Sequence, residues 1–335
     1  SALAMLNASD DPALQLLKDL RRGRTSRPRV KGAGNKRSSR PGWQSDVRQF
    51  ALLRDVWSPD ANVLSVDYAG GDVQLNFSVS GQQLLSGCWT SNVLLNDQLL
   101  EHPLAWKCEC WFSDRDADFV ELTADLGEGI ALMRQLLLAR KESMLLVAEA
   151  IRGASPETRL TLRSSLPTVP DLRGEPDGLT RELQLTSEPI RLRVFPLHLP
   201  WERTVPGTGR LSAADAALEC EVAGNQGVCQ VVVLDWSDAG GERPADGTPL
   251  SVVEAGRPLS PGEACAGRVR IGQNHWFYLH NLTRGQIPRS VAGHHTDSET
   301  VIGKLDNEGD LHLLVHVEGD AGEEESEQVS GEKSE

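Results

Sequence analysis

Between Asp118 and Ile151 the apolar and polar positions follow a two-residue rhythm that predicts three consecutive strands. Val120, Leu122, Ala124 and Leu126 fall on one face and Glu121, Thr123 and Asp125 on the other, the period of a half-buried strand. Gly127-Glu128-Gly129 supplies the glycines that a tight reversal needs. Ile130 to Leu138 is apolar on both faces, as a central strand covered on both sides is, and Lys141-Glu142-Ser143 turns it into Met144 to Ile151. An amphipathic helix is the rival reading of residues 130–139, because a short apolar run does not separate the two by period. The strands on either side favour sheet.

The same alternation recurs along the chain. Phe50 to Val56, Asn62 to Tyr68, Val73 to Ser80, Gln82 to Leu85, Ser91 to Asn96 and Leu104 to Ser113 read as strands, divided by turn residues such as Ser58-Pro59-Asp60 and Gly70-Gly71-Asp72. Glu157 to Leu166 follows the central meander, and the Pro- and Gly-rich residues 167–178 form the candidate internal seam. Leu179, Arg181, Leu183 and Leu185 then alternate with Thr180, Glu182, Gln184 and Thr186, and Pro189 precedes a strand ending at Trp201. Leu211 to Val222, Val228 to Trp236, Ala264 to Asn281 and Leu311 to Val317 supply the remaining strands, with Ser237 to Pro261 read as loop. Asp11, Pro12 and Gly23 bracket one short helix with Leu14, Leu16, Leu17 and Leu20 on it. The expected class is all-β: a large antiparallel multi-sheet β-sandwich with a short N-terminal helix and disordered tails. The expected organisation is a helix and basic linker over residues 1–42, a β domain over 43–317 and an acidic tail over 318–335.

Charge sharpens this picture. The chain carries a net −14, yet residues 18–40 hold ten Lys or Arg against one Asp, so the body between the basic linker and the acidic tail is more acidic than the total. An acidic body argues against nucleic acid as its ligand, and leaves a protein partner reached through the tails as a candidate. No apolar run approaches the ~18 to 20 residues of a membrane span. Six cysteines lie scattered through apparent strands without a CxxC pair. Buried free thiols are the plain reading, which leans towards a reduced, cytoplasmic setting. Cys108 and Cys110, two apart on a strand, are expected to face the same side, where they could share a metal.

Three stretches carry a resemblance: LLRDVWSPDANVLSVDYAGGDVQLNFSVSGQQLLSG, then WFSDRDADFVELTADL, then MRQLLLARKESMLLVAEAI. Their order resembles the β-sandwich half of heparinase II/III-like polysaccharide lyases, with Gly81 to Gly87, Asp118 to Leu122, Arg134 and Glu149 at matching places over roughly residues 43–166. The resemblance implies a carbohydrate-related module. Such lyases also carry a helical toroid with an Asn, a Tyr and a His that abstract a proton from a uronic acid, of which this chain shows at most the short helix near Leu14 to Leu20. The family's His-rich segment falls near Val66 to Gln74, which here contains Asp67, Tyr68 and Asp72 and no histidine. Lyase activity from this chain alone is therefore not expected, and an active lyase would require a toroid upstream of Ser1.

Eight tryptophans against two tyrosines invite a stacking platform for sugar rings built from Trp57, Trp89, Trp106 and Trp111, with core packing as the plainer alternative. With Asp67, Tyr68, Asp72 and Arg134 they form the candidate ligand set. Asp114, Arg115, Asp116 and Asp118 read as a solvated turn or a cation site. His294, His295 and Asp297, with His312 or His316 from one face of the last strand, are the candidate ligands of a divalent metal, against a reading as exposed polar positions. The sequence thus points to a polysaccharide-binding or accessory module. The alternative is a structural or protein-interaction domain.

Overall fold

The computed structural model describes residues 40–237, 243–283 and 288–318. The short helix near Leu14, most of the basic linker and nearly all of the acidic tail lie outside the described residues. The chain opens as a meander of β1 (Trp43–Ser45), β2 (Phe50–Arg54), β3 (Val63–Asp67), β4 (Val73–Val79) and β5 (Gln82–Leu95), with β6 (Gln98–Leu99) paired back on the end of β5. It crosses to a second sheet for β7 (Trp106–Ser113), β8 (Ala117–Gly127), β9 (Ile130–Ala139) and β10 (Met144–Arg152), returns to the first as β11 (Arg159–Pro167), and crosses again for β12 (Arg173–Pro176), β13 (Leu183–Ser187) and β14 (Ile190–Pro196). β15 (Gly209–Ala214) and β16 (Ala217–Asn225) complete the first sheet, and β17 (Val228–Asp235) fills the place between β14 and β10 in the second. β18 (Ala245–Pro249) opens a third sheet and β19 (Val252–Glu254) and β20 (Arg257–Pro258) a fourth. β21 (Ala264–Ile271) and β22 (Asn274–Asn281) extend the third, β23 (Arg289–Val291) and β24 (His294–Thr296) the fourth, and β25 (Thr300–Leu305) and β26 (Leu311–Val317) close the third. All pairings are antiparallel.

Three cores separate four layers. Leu64, Phe77 and Leu162 of the first sheet meet Leu122, Leu136 and Leu145 of the second. The other face of the second sheet, with Phe119, Leu137 and Val231, meets Val269, Trp276 and Ile302 of the third. Phe277, Leu279 and Val301 on the far side of the third pack on Val252 and Val291 of the fourth. Each such side chain contributes about 1.5–3 kcal/mol on burial. The second sheet is covered on both faces, which is why β9 reads as a continuous apolar run; it is a strand, and the helical reading of residues 130–139 is excluded.

The structure corrects several boundaries. Leu211 to Val222 is a hairpin turned at Asp215 and Ala216, both at positive φ, and Ala264 to Asn281 is a hairpin turned at Gly272. The alternation from Leu179 is strand from Leu183 onwards, because the Asp177 carboxylate accepts the backbone N–H groups of Leu179 and Thr180 and turns the chain there. Residues 245–258, read as loop, form β18, β19 and β20; β18 carries Gly247 and Pro249 and is held as strand by β21, while the short β19 is held by β23.

Candidate functional site

The second sheet carries a polar row on each buried face. On the face towards the first sheet, Glu149 stands in register between Arg134 of β9 and Gln230 of β17. Arg134 Nε donates to Glu149 Oε1 at 2.7 Å, Ser91 of β5 donates to the same oxygen at 2.6 Å, and Gln230 Nε2 donates to Oε2 at 3.0 Å. Arg134 Nη2 closes the ring by donating to Ser91 Oγ at 2.7 Å. The guanidinium lies between two indoles, 4.3 Å from the ring centre of Trp89 and 4.5 Å from that of Trp106, close enough for cation–π attraction on both sides. Trp89 Nε1 donates to Ser164 Oγ and Trp106 Nε1 to the Gly71 carbonyl, so each ring is pinned. Burial pulls the Arg134 pKa below its ordinary value, opposed chiefly by Glu149. A cavity of about 20 Å³ beside Trp89, Glu149, Ser164 and Gln230 has room for a water molecule and none for a sugar. The row fixes a cation inside an aromatic sleeve and offers no accessible group for proton transfer.

The candidate ligand residues are divided between the two sheets and do not form one surface. Trp89 and Trp106 are buried, so they present no face to solvent, and Arg134 is enclosed between them. Asp72 is exposed at the β3–β4 turn next to the Gly71 carbonyl that holds Trp106, and Asp67 is exposed at the end of β3. Tyr68 beside them is buried; its hydroxyl accepts from Gln44, and desolvation pushes the phenol up to about 12. Its backbone N–H donates to Gln49 at the start of β2, whereas Trp57 follows the other end of that strand, where the Asp55 N–H donates to the Asn62 carbonyl. Trp57 therefore stands apart from Asp67 and Asp72. It is 44% exposed, with the Arg54 guanidinium 5.0 Å from its ring centre. Trp111 is half-buried against the first core.

Near Trp57 the acidic cluster is spent on structure. Asp118 accepts the Arg54 backbone N–H at 2.8 Å and pairs with Arg140 at 2.5 Å. Asp114 accepts the backbone N–H groups of Asp116 and Ala117, and Asp116 pairs with Lys141 at 2.5 Å. These carboxylates serve different partners and do not converge on one point.

Two β-bulges overturn the expected faces of the cysteine and histidine pairs. A bulge between Cys108 and Cys110 sends Cys108 to the first core and Cys110 to the second, so the two thiols lie on opposite faces of the sheet and cannot share a metal. Between β25 and β26 the pairing jumps from Ile302↔Val315 to Gly303↔Leu313, which leaves Leu314 of β26 as the bulged residue. His316 thereby joins Leu311 and Leu313 on the side of the fourth sheet, while His312 pairs with Asp306, so the two do not share a face. His294 donates to or accepts from none of the carboxylates; its Nε2 meets the Gly309 carbonyl at 3.1 Å, and His295 Nδ1 meets Ser290 Oγ at 2.7 Å. Among the described residues no group of three or more His, Cys, Asp and Glu is disposed to hold a metal.

The second polar row escaped the sequence reading. On the face towards the third sheet, Gln135 donates to Glu121 at 2.6 Å and to Thr300 at 2.9 Å and accepts from Tyr278 at 2.9 Å, while His280 Nδ1 lies 2.8 Å from Thr300. Desolvation pushes the Glu121 carboxyl up to about 7, and burial takes His280 down to about 3. The available signal was β9 itself. A strand apolar on both faces needs cover on both, and that cover also buries Glu121 on the neighbouring strand.

A heparinase III structure superimposes with a TM-score of 0.52 over 72% of this chain, at 9% identity. This chain has a heparinase-like β-sandwich fold. It spans 42% of that heparinase, and 41% of the heparan sulfate lyase HepC from Pedobacter heparinus, which matches with a TM-score of 0.48 at 13% identity over 70% of this chain. No family model and no curated protein matches the sequence. At such identities the likeness is one of fold, and the residues described above are this chain's own.

Proposed function

We propose that this chain is a carbohydrate-binding or accessory β-sandwich module, and that by itself it does not cleave glycan. The heparinase-like fold is the observation that carries the reading. Trp57 supplies the contact: an exposed indole offers a flat apolar surface to the C–H face of a pyranose, and Arg54 behind it fixes its position. Asp67 and Asp72, at the other end of β2 and β3, offer acceptors to hydroxyl groups. The net charge of −14 favours a neutral over a polyanionic glycan. Both tyrosines are buried, with Tyr68 pushed up to about 12 and Tyr278 well above its ordinary value, which suits neither as the base of an elimination.

Tryptophan fluorescence titrated with neutral and acidic polysaccharides tests the reading, alongside ultraviolet absorbance of unsaturated uronate products. Saturable quenching that Trp57→Ala abolishes, with no growth in absorbance, is the expected result. Growth in absorbance overturns the non-catalytic reading, and silence in both channels overturns the carbohydrate reading. In that case a protein-interaction domain takes its place, a role favoured by the exposed Leu179 and Val205, whose loops are joined through Arg181 and Arg203.

A further inference from the structure

A cavity of about 260 Å³ lies between the third and fourth sheets, open along β26. That exceeds the roughly 150 Å³ in which an apolar cavity holds benzene. Phe277, Leu279, Val291 and Val301 form an apolar floor, and Leu313 is half-exposed at the lining. No Lys, Arg, Asp or Glu lines it; the polar groups are His294, His295, Thr296, Ser298 and His316.

His294 defines the chemistry. A carbonyl oxygen can only accept, so the contact with Gly309 places the imidazole proton on Nε2, and in the neutral ring Nδ1 then carries a lone pair. The ring is held edge-on to Phe277, with centroids 6.3 Å apart. Thr296 Oγ1 accepts the Ser298 backbone N–H and retains its own proton to donate. A charged ligand entering this lining sheds hydration without meeting a counter-charge, which is costly. The geometry points to a binding site for a small uncharged aromatic ring compound that bears a hydroxyl group: the ring against Phe277 and the aliphatic floor, the hydroxyl donating to His294 Nδ1. Phenol is the simplest probe of that class. This site is separate from Trp57 and its occupancy does not depend on the carbohydrate reading.

Calorimetric titration of the full chain with phenol, toluene, benzoate and methyl glucoside tests it. Phenol is expected to bind saturably and more tightly than the other three. Replacing the imidazole lone pair with a ring of similar shape, His294→Phe, is expected to weaken phenol by roughly tenfold and to leave toluene unchanged. Leu313→Trp, a change at a half-exposed position, is expected to close the cavity to both. Benzoate or methyl glucoside binding better than phenol overturns the ligand class. Phenol affinity unchanged in His294→Phe overturns the acceptor, and no saturable phenol binding, or binding that survives Leu313→Trp, overturns the site.

Discussion

Replacing Glu149 with leucine isolates what the buried row in the second sheet contributes. The carboxylate accepts from Arg134, Ser91 and Gln230, and its partner Arg134 has a side chain 1% exposed. Removing it leaves a guanidinium buried between two indoles without a counter-charge, a change that costs about 3–5 kcal/mol. The indoles attract the cation but do not neutralise it. With a urea slope of about 3 kcal/mol/M, a loss of about 4 kcal/mol moves the unfolding midpoint down by about 1.3 M.

The double variant Arg134→Met, Glu149→Leu removes both charges and leaves a flexible apolar chain between Trp89 and Trp106. Its remaining cost is that of Ser91 and Gln230 losing partners, about 1–2 kcal/mol. The four proteins form a cycle, followed by urea unfolding with tryptophan fluorescence and circular dichroism; with about 4 kcal/mol lost in each single variant, the expected coupling is about 6 kcal/mol in favour of the pair. Single variants that each cost under about 1 kcal/mol, or a double variant equal to the sum of its singles, refute the reasoning.

Glu121 gives a pH dependence of opposite sign to a surface carboxylate. Its folded pKa of about 7 lies above the ordinary 4.5, so the unfolded chain releases this proton first and stability falls as pH rises from about 4.5 to 7. Glu121→Gln is expected to remove about 2.5 kcal/mol of that fall, read as the difference in urea midpoint between pH 5 and pH 8 in variant and parent. Of the six free thiols, Cys88 is exposed, whereas burial pushes Cys108 up to about 12 and Cys110 to about 11. A chromogenic disulfide at pH 8 is expected to label one thiol in the native protein, Cys88→Ser to abolish that labelling, and denaturant to release the rest. Gly267→Ala is expected to cost at least about 2 kcal/mol in thermal or urea unfolding, because the added methyl would sit 2.5 Å from the Leu197 carbonyl where the second and third sheets meet.

The sequence by itself determined the class and the central meander. The two-residue period of residues 118–126 and the doubly apolar run of 130–138 are local properties, and they specify strand and burial before any partner is known. The resemblance to the lyase sandwich singled out Arg134 and Glu149, and the structure makes them cross-strand neighbours. Tertiary structure decided the rest. Gln230 reaches Glu149 from a strand that closes the sheet long after β10, and Trp89 and Trp106 meet at Arg134 from two different sheets, so no window of sequence shows that these indoles sheathe a cation. Trp57 and Asp67 lie close in sequence, yet one strand's length puts them at opposite ends of the first sheet. The two β-bulges are the sharpest case. One extra residue reverses every face beyond it, and whether a strand takes one depends on the register of the partner across from it, which sent Cys108 and Cys110, and His312 and His316, to opposite sides.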